Sequence, residues 1–399
     1  MSIRIGIVGG GPGGLTLARL LQMNGMQVTV FERDASATAR FSGGSLDMAP
    51  DSGRKAIRAA GLDAAFRRRA RPEGDAYIIS DQTGRITFRT PPFRFASRRP
   101  EIDRADLKEI LLSSLAPDTV HWGRRFAGLT DEGGRQRIHF EDGTTAEVDL
   151  VIGADGARSR VRPLVTSQMP YYSGGTLLQG DIANPAVDCP AIQQWVRNAN
   201  FFALGNAIGL FIQARSTGAL SLYVSLRIAE DAMSDVDLSS RDAVAAYASE
   251  ALRGWHPAFL EAVEASAPLV ARPLVRTVDT QSWTHRPAIT LIGDAAHVMP
   301  PFGGEGANMA MLDAVMLSRE LARSPDDVAA AIVRYEREMF ARTGNVQRST
   351  AALQEMFHAP DAADRLARAF LGPMEFMAPV VPAAVSAMEA LLPKRSGEG

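Results

Sequence analysis

Ile3 to Val8 is a short apolar, β-branched run that stops abruptly in glycines. Leu15, Leu17, Ala18, Leu20 and Leu21 follow, as in a helix packed closely on a sheet, and Gln27 to Phe31 is a second β-rich run ending in Glu32-Arg33. Strand, glycine turn, helix and strand within about thirty residues predict a βαβ unit and hence a parallel sheet. Val148 to Ile152 and Ile289 to Ile292 read as further buried strands, stopped by Gly153-Ala154-Asp155-Gly156 and by Gly293-Asp294. The middle has another rhythm. Tyr77 to Ser80, Ile86 to Arg89 and Ile138 to Phe140 predict strands, with Glu141-Asp142-Gly143 as a turn. From Leu177 to Ile228 short strands alternate with Gly, Asn and Pro turns, and Ala219 to Arg227 alternates as a half-buried strand does; this predicts an antiparallel sheet. Long helices are expected from about Ala307 to Arg323 and from Val328 to Gln354. The Ala-rich tail from Ala362 to Leu392 reads as helical, broken at Pro373, Pro379 and Pro382.

Composition narrows the class. With 399 residues and 46% hydrophobic content, the chain can bury a large core divided over two or three units. A net charge of -2 gives no reason to expect nucleic acid or an anionic membrane as partner, and Arg67 to Arg69 reads as a solvated helix face. Cys189 is the only cysteine, which excludes an intrachain disulfide and fits a reducing compartment. His121, His139, His256, His285, His297 and His358 show no metal-ligand spacing. No apolar stretch reaches the roughly 18 residues of a membrane span, and the N-terminus lacks a signal-peptide pattern. The expected protein is a cytoplasmic monomer without stable membrane insertion.

Three loops carry the chemistry. Gly9-Gly10-Gly11-Pro12-Gly13-Gly14 contains G-x-G-x-x-G between a strand and a helix. Gly9 permits the tight turn, Gly11 lets the backbone approach a pyrophosphate, and Gly14 allows helix and strand to pack closely. The helix N-terminus offers free N–H groups to phosphate, and Glu32, eighteen positions beyond Gly14, can accept from ribose hydroxyls. Such a glycine run alone also describes an ordinary turn; strand, helix and acidic residue together point to a dinucleotide.

In the second loop, Gly293-Asp294-Ala295-Ala296-His297 leads to Pro300-Pro301-Phe302-Gly303-Gly304-Glu305-Gly306-Ala307-Asn308. A carboxylate at a buried strand end needs a polyol or a donor, which the ribityl chain of FAD supplies. The glycines open a helix whose N–H groups can stabilise the negative charge of a reduced flavin. His297 reads as a packed structural residue rather than a base. In the third loop, from Gly153 to Arg162, Asp155 ends a strand and can order the turn, reach a cofactor, or cap a helix.

In order and spacing the three segments resemble the G-x-G-x-x-G, D-G and G-D motifs of class A flavoprotein monooxygenases, the para-hydroxybenzoate hydroxylase-like family, over nearly the whole chain. The resemblance implies a mixed α/β (α+β) fold in which a Rossmann-like FAD-binding domain interleaves with a β-sheet substrate domain, closed by C-terminal bridging helices. The FAD domain would take 1–72, 101–168 and 276–345, the substrate domain 73–100 and 169–275, and the bridging helices 346–399. FAD contacts are implied for Gly9, Gly11, Pro12, Gly13, Gly14, Glu32 and Arg33 at the first loop. Asp155, Gly293, Asp294, Pro301, Gly304, Gly306, Ala307 and Asn308 supply the others, and the D-G segment serves both FAD and NADPH (or NADH).

Within that family the chain is most similar to TetX-type tetracycline-inactivating monooxygenases. Ala39-Arg40-Phe41-Ser42-Gly43-Gly44-Ser45-Leu46-Asp47 resembles their cofactor segment, which implies Arg40 for NADPH and Asp47 for FAD. Pro100-Glu101-Ile102-Asp103-Arg104-Ala105-Asp106-Leu107 implies Arg104 for FAD, and Gln179-Gly180-Asp181-Ile182 implies a substrate-facing glutamine. Ser221 stands where those enzymes place a histidine, and their substrate arginine is replaced near Phe201.

The implied reaction uses NAD(P)H to reduce FAD and inserts one oxygen atom from O2, added at the flavin C4a position, into an aromatic or polyketide-like substrate such as tetracycline or another phenolic metabolite. Catalysis is flavin-centred, and no Ser-His-Asp set or carboxylate pair stands out. Phe211, Met299, Phe302 and Met356 are expected to keep the pocket dry, with Gln179, Ser221 and Tyr223 as polar contacts and Pro300 and Gly303 beside them. Two other classes share the fold. A flavin-dependent halogenase needs a lysine near substrate, yet the chain has only Lys55, Lys108 and Lys394 and no W-x-W-x-I-P pattern. A non-catalytic ligand-sequestering or redox-sensing flavoprotein is the other.

Overall fold

A computed structural model describes residues 3–39, 44–90, 99–266 and 268–376. Its opening is the expected βαβ unit: β1 (Arg4–Val8), α1 (Pro12–Met23) and β2 (Gln27–Phe31), with Pro12 in the first helical turn, where its missing N–H costs nothing. There follow β3 (Ser45–Asp47), α2 (Gly53–Ala59), α3 (Asp63–Arg69), β4 (Tyr77–Asp81), β5 (Ile86–Arg89), β6 (Glu101–Asp103), α4 (Arg104–Ser113) and β7 (Val120–His121). Next come β8 (Phe126–Asp131), β9 (Gln136–Phe140), β10 (Thr145–Val148), β11 (Leu150–Gly153) and β12 (Tyr171–Ile182). Then α5 (Pro185–Asp188), α6 (Pro190–Val196), β13 (Asn200–Gly205), β14 (Ile208–Ala214), β15 (Leu220–Leu226), α7 (Arg241–Ala251), α8 (Pro257–Ala265) and β16 (Val270–Arg276) complete the middle. The chain closes with β17 (Ile289–Leu291), α9 (Asp294–His297), α10 (Glu305–Arg323), α11 (Val328–Phe357) and α12 (Ala362–Phe376).

Two large sheets organise these elements, and the fold is mixed α/β as expected. The first is parallel, in the order β17-β11-β1-β2-β7. Its strands are apolar because they are covered by helices and by the small β10-β9-β8 sheet: Leu17, Leu21, Leu317, Leu321, Ile332 and Tyr335 of the helices and Phe126, Ile138, Phe140 and Val148 of the small sheet join Ile5, Ile7, Leu150 and Ile152 in one core. The second runs β16-β12-β15-β14-β13-β4-β5 and is antiparallel except where β13 meets β4. One face packs Leu178, Leu210, Leu222 and Val224 against Phe259, Val263 and Val244 of α7 and α8. The other face carries Tyr223, Phe211 and Phe202 and looks into a cavity.

The structure departs from the sequence pattern at three places. The apolar run Val148 to Ile152 is two strands in different sheets, because Asp149 between them accepts from the Arg4 backbone (2.9 Å) and pairs with its guanidinium. Between β12 and β13 the chain forms α5 and α6, each opened by proline, where short strands were expected. α12 continues past Pro373, since a proline removes one helical donor and bends a helix without having to end it. Among the described residues, no helix is long and apolar enough to cross a membrane, and Cys189 is buried and free.

Arg162 locks the third loop to the second. Its side chain, in a residue 1% exposed, donates to the carbonyls of Ala295 (3.0 Å), Ala296 and Gln168 (2.8 Å) and to Gln281 Oε1 (3.1 Å). Burial pulls the guanidinium down to about 10, with no carboxylate to offset it. Arg162→Ala leaves these acceptors unpaired at roughly 1–3 kcal/mol each if buried dry, so chemical denaturation should show a loss of at least about 3 kcal/mol.

Candidate active site

The glycine turn is built by close approach. Gly9 has φ +113°, and a Cβ there would lie 2.3 Å from the Ala154 carbonyl oxygen; a Cβ on Gly14 would lie 2.1 Å from that of Gly9. Gly11 differs, with ordinary extended angles (φ -77°, ψ 179°) and nothing within 4 Å of its Cβ position. Its lack of a side chain serves no contact within the protein, and it sits at the N-terminus of α1 facing the cavity. That vacancy fits a pyrophosphate. At the end of β2, Glu32 accepts from the Gly10 N–H (2.6 Å) and the Asp34 N–H (2.9 Å) while lining the same cavity. It shapes the turn it was expected only to adjoin.

Asp294 lines the cavity at the end of β17, and no hydrogen bond engages its carboxylate among the described residues. Burial pushes that carboxyl up, opposed by His297 and Arg104. An unpartnered carboxylate in a deep polar position fits a ligand rich in hydroxyls, as the ribityl chain of FAD is. Asp155 is occupied differently: it accepts from Ser159 Oγ (2.5 Å) and from the Arg160 N–H (2.7 Å), so it orders its own turn while bordering the cavity. His297 is buried against Asp313 at 2.5 Å, a packed residue as read from sequence.

The entry to α10 forms the next wall. Gly304, in the left-handed region at φ +69°, has its Cβ position 2.2 Å from Asp47 Oδ1, so no side chain fits between β3 and the helix. Pro301, Phe302, Gly303, Gly304, Gly306 and Ala307 all border the cavity. Asn308 does not. Its Nδ2 donates to the Asp47 and Gly304 carbonyls, and its Oδ1 accepts from the Ala49 and Gly53 N–H groups, so its capacity is spent tying α10 to β3. Arg33 and Arg104 line the cavity, whereas Arg40 lies outside the described residues.

Strand register sets the remaining wall. Val270, Gln179, Tyr223, Phe211, Phe202, Ile79 and Phe88 are successive cross-strand partners, one row across the sheet from β16 to β5. The neighbouring row is polar: Asp181, Ser221, Gln213, Asn200 and Tyr77. Phe202 and Phe211 meet edge to face at 5.2 Å, and Phe357 lies 5.3 Å from both Phe211 and Phe302. Three expected wall residues fall elsewhere. Ser221 is buried and donates to Asp181 Oδ1 at 2.6 Å, Pro300 is buried behind Pro301, and Met356 packs behind the phenylalanines while Phe357 takes the wall. Phe202, Asn200, Gln213 and Phe357 were not singled out from sequence, because only the register and the turn of α11 bring them to this face.

A polar cluster joins the two sides. Asp47 and Glu101 are directly opposed across the antiparallel β3–β6 ribbon, and both line the cavity. Arg99 Nε pairs with Asp47 Oδ2 at 2.6 Å and its NH1 with Glu305 at 3.0 Å. Glu101 accepts from Ser45 Oγ and from Asn200 Nδ2 (3.0 Å). Burial pushes Asp47 up to about 6 and Glu101 up to about 7.

The cavity measures about 2380 Å³, above the ~300–1,000 Å³ of an ordinary ligand site, and it runs unbroken from the glycine turn to the phenylalanine wall. Residues 2–342 match the FAD binding domain family, and the chain belongs to it. It is an FAD-dependent monooxygenase. It is 31% identical to 3-amino-4-hydroxybenzoate 2-monooxygenase of Streptomyces cremeus, covering 90% of this chain and 89% of that one. It is 28% identical to 6-hydroxynicotinate 3-monooxygenase of Pseudomonas fluorescens, covering 87% and 90%. The tetracycline destructase Tet(51) shares the fold at TM-score 0.73 and 19% identity, covering 94% of this chain and 98% of that chain.

Two measurements probe this geometry. Gly11→Val should cost the apoprotein no more than about 1 kcal/mol in a melting experiment, the loss of glycine at the N-cap of α1, since nothing else is near, yet weaken FAD binding about 100-fold (roughly 3 kcal/mol) in a fluorescence titration. The second concerns Glu101, whose folded value of about 7 exceeds its ordinary 4.5, so its contribution to stability is full below 4.5 and lost as pH rises through about 7. Glu101→Gln should therefore match wild type near pH 5 and exceed it near pH 8.5 by on the order of 3 kcal/mol.

Proposed function

We propose that the protein is an NAD(P)H-dependent monooxygenase that inserts one oxygen atom from O2 into an electron-rich aromatic or polyketide-like ring. The observation carrying this reading is one cavity with a phosphate-type glycine cradle at one end and a phenylalanine wall at the other. The two curated relatives act, by name, on hydroxylated six-membered rings, and a flat ring suits a face made of Phe202, Phe211 and Phe302.

Bound FAD supplies the two-electron and oxygen chemistry. The chain's own residues position and insulate it. Gly9 to Gly14 and the N-terminus of α1 would hold phosphate, Glu32 and Asp294 would accept from ribose and ribityl hydroxyls, and Arg33, Asp47, Arg104 and Asp155 would complete the binding site. The first N–H groups of α10, at Gly306 and Ala307, would stabilise negative charge on the flavin ring. The phenylalanines keep water from the reacting centre, and Gln179 and Tyr223, adjacent in one row, would hydrogen-bond the polar edge of the substrate. Cofactor and substrate domains would interleave along the chain, which would operate as a monomer in the cytoplasm.

Tetracyclines belong to the test panel on the strength of the cofactor segments. Ser221, however, is spent on Asp181 and offers the drug nothing in place of the histidine of the TetX type. The experiment is mass spectrometry of hydroxybenzoates, hydroxypyridines and tetracyclines incubated with holoenzyme and NADPH or NADH, with NAD(P)H oxidation followed in parallel. Substrate-stimulated oxidation with gain of one oxygen atom is expected for at least one ring class. Flavin binding without stimulation by any compound would leave a ligand-sequestering or redox-sensing protein. Phe211→Ala should raise KM for the productive substrate about tenfold and divert electrons from product to hydrogen peroxide, read by a peroxide assay.

A further inference from the structure

A hydroxylation of this kind consumes a proton: substrate C–H, O2, NAD(P)H and H⁺ give substrate C–OH, NAD(P)⁺ and water. Among the described residues no histidine lines the cavity, and its tyrosines, Tyr77 and Tyr223, are both pushed above the ordinary phenol value by burial. Several carboxyls line it, and among them Asp47 and Glu101 are brought together by the β3–β6 register. Their register places them directly opposite each other, where two like charges repel, so a state in which one of the two keeps its proton is favoured.

The surroundings make the two members unequal. Asp47 has a cation in contact, Arg99, and lies against Gly304 at the mouth of α10, the end of the cavity assigned to the flavin ring. Among the described residues no ion pair engages Glu101; its two oxygens accept from neutral groups, Ser45 Oγ and Asn200 Nδ2. Asn200 in turn accepts from Gln213 Nε2 (3.1 Å), which puts Glu101 beside the polar row of the substrate wall. The charged and titratable groups around it are Asp47 on β3, Arg71 and Asp75 before β4, Tyr77 on β4, and Arg99 and Asp103 beside or on β6, with Glu305 of α10 beyond Asp47. Arg71 directs its guanidinium to Asp103 (2.6 Å) and Ser45 Oγ (3.0 Å). Among the described residues these surroundings hold more carboxyls than cations, which favours keeping the proton.

We propose that Glu101, opposed to Asp47 across the β3–β6 ribbon, is the acid that delivers the proton consumed in each turnover. The carboxyl O–H bond breaks, and an O–H bond forms on the O2-derived oxygen atom that leaves as water. The O–O bond breaks, the other oxygen atom bonds to the substrate carbon, and the hydrogen that this carbon loses ends on the new hydroxyl. NAD(P)H gives up a hydride, whose two electrons reduce O2 and whose hydrogen becomes the second hydrogen of water, leaving NAD(P)⁺. Solvent reprotonates the pair through Asp47. A donor held near neutrality suits this role, because both of its forms are populated at working pH. The inference rests on the monooxygenase reading and adds the identity of the acid.

The test is the pH dependence of kcat in wild type and Glu101→Gln, with FAD affinity measured separately by fluorescence. Wild-type kcat should fall as pH rises through about 7. Glu101→Gln should bind FAD within about threefold of wild type, lose about 100-fold in kcat near neutrality, and lose that ionisation from its profile. An unchanged kcat and profile in the variant, with turnover intact, would overturn the assignment while leaving the monooxygenase reading standing. Absence of turnover with every substrate would instead overturn that reading. If the variant does not retain FAD, wild type decides alone: a kcat flat between about pH 5.5 and 8.5 overturns the proposal, and a fall centred near neutrality with a solvent deuterium isotope effect supports it.

Discussion

Asp313 is the buried charge on which the flavin side of the molecule depends. It sits inside α10, where burial alone would push its carboxyl up. His297 (2.5 Å), Arg342 (2.5 Å) and the Gly293 N–H (2.8 Å) outweigh that penalty and hold it below the usual carboxylate range. A charge this deep is tolerable only when paired on every side, and its partners come from two segments other than its own. One carboxylate thereby joins the β17–α9 turn, α10 and α11. Asp294, one residue beyond Gly293, is delivered into the cavity with no hydrogen-bond partner among the described residues, while its neighbours Gly293 and His297 are held by Asp313. Asn308, one turn into the same helix, secures the other end by clasping β3 and the start of α2.

The substrate wall obeys a different constraint, the period of two along a strand. In β15 the sequence Leu220-Ser221-Leu222-Tyr223-Val224-Ser225-Leu226 sends its apolar members to the core with α7 and α8 and the others to the opposite face. Tyr223 then falls into line with Gln179 and Phe211, and Ser221 with Asp181 and Gln213. A slip of one residue would put leucines in the cavity and bury a tyrosine and two serines without partners, so the apolar core fixes the register of the site. Specificity is decided by the position of each residue along its row more than by its type.

This explains what could be read before the structure. Local motifs were legible because their physics is local: a glycine turn, a helix start and a strand-end carboxylate lie within a few residues of each other, and Gly11, Glu32 and Asp294 stand where that logic places them. Asn200, Gln213 and Phe202 were not legible, since their roles depend on pairing between strands far apart in sequence. Met356 and Phe357 show the limit more finely: adjacent helical residues differ by about 100° in direction, and the sequence does not say which one faces the cavity. Ser221 was legible as a departure from a family pattern, but its attachment to Asp181 was not. The same limit hid the carboxylate pair, because Asp47 and Glu101 belong to short strands whose register no alternation reveals.

That pair also bears on where the two halves meet. Ligands in open parallel sheets bind beyond the carboxyl ends of the strands, and here those ends carry Gly9, Glu32, Asp155 and Asp294. The aromatic rows belong to a separate sheet, so something must hold the two at a fixed distance. The β3–β6 ribbon does so. Asp47 contacts the mouth of α10, Glu101 contacts Asn200 of the aromatic sheet, and Arg71 joins the ribbon to the Ala214 carbonyl at the end of β14 (3.1 Å). A hydrophobic ribbon would make a more stable joint, since two opposed buried carboxyls cost free energy as pH rises. Retaining the polar joint is understandable if the junction must also hold a proton beside the reaction, where a hydrophobic joint would have none to give.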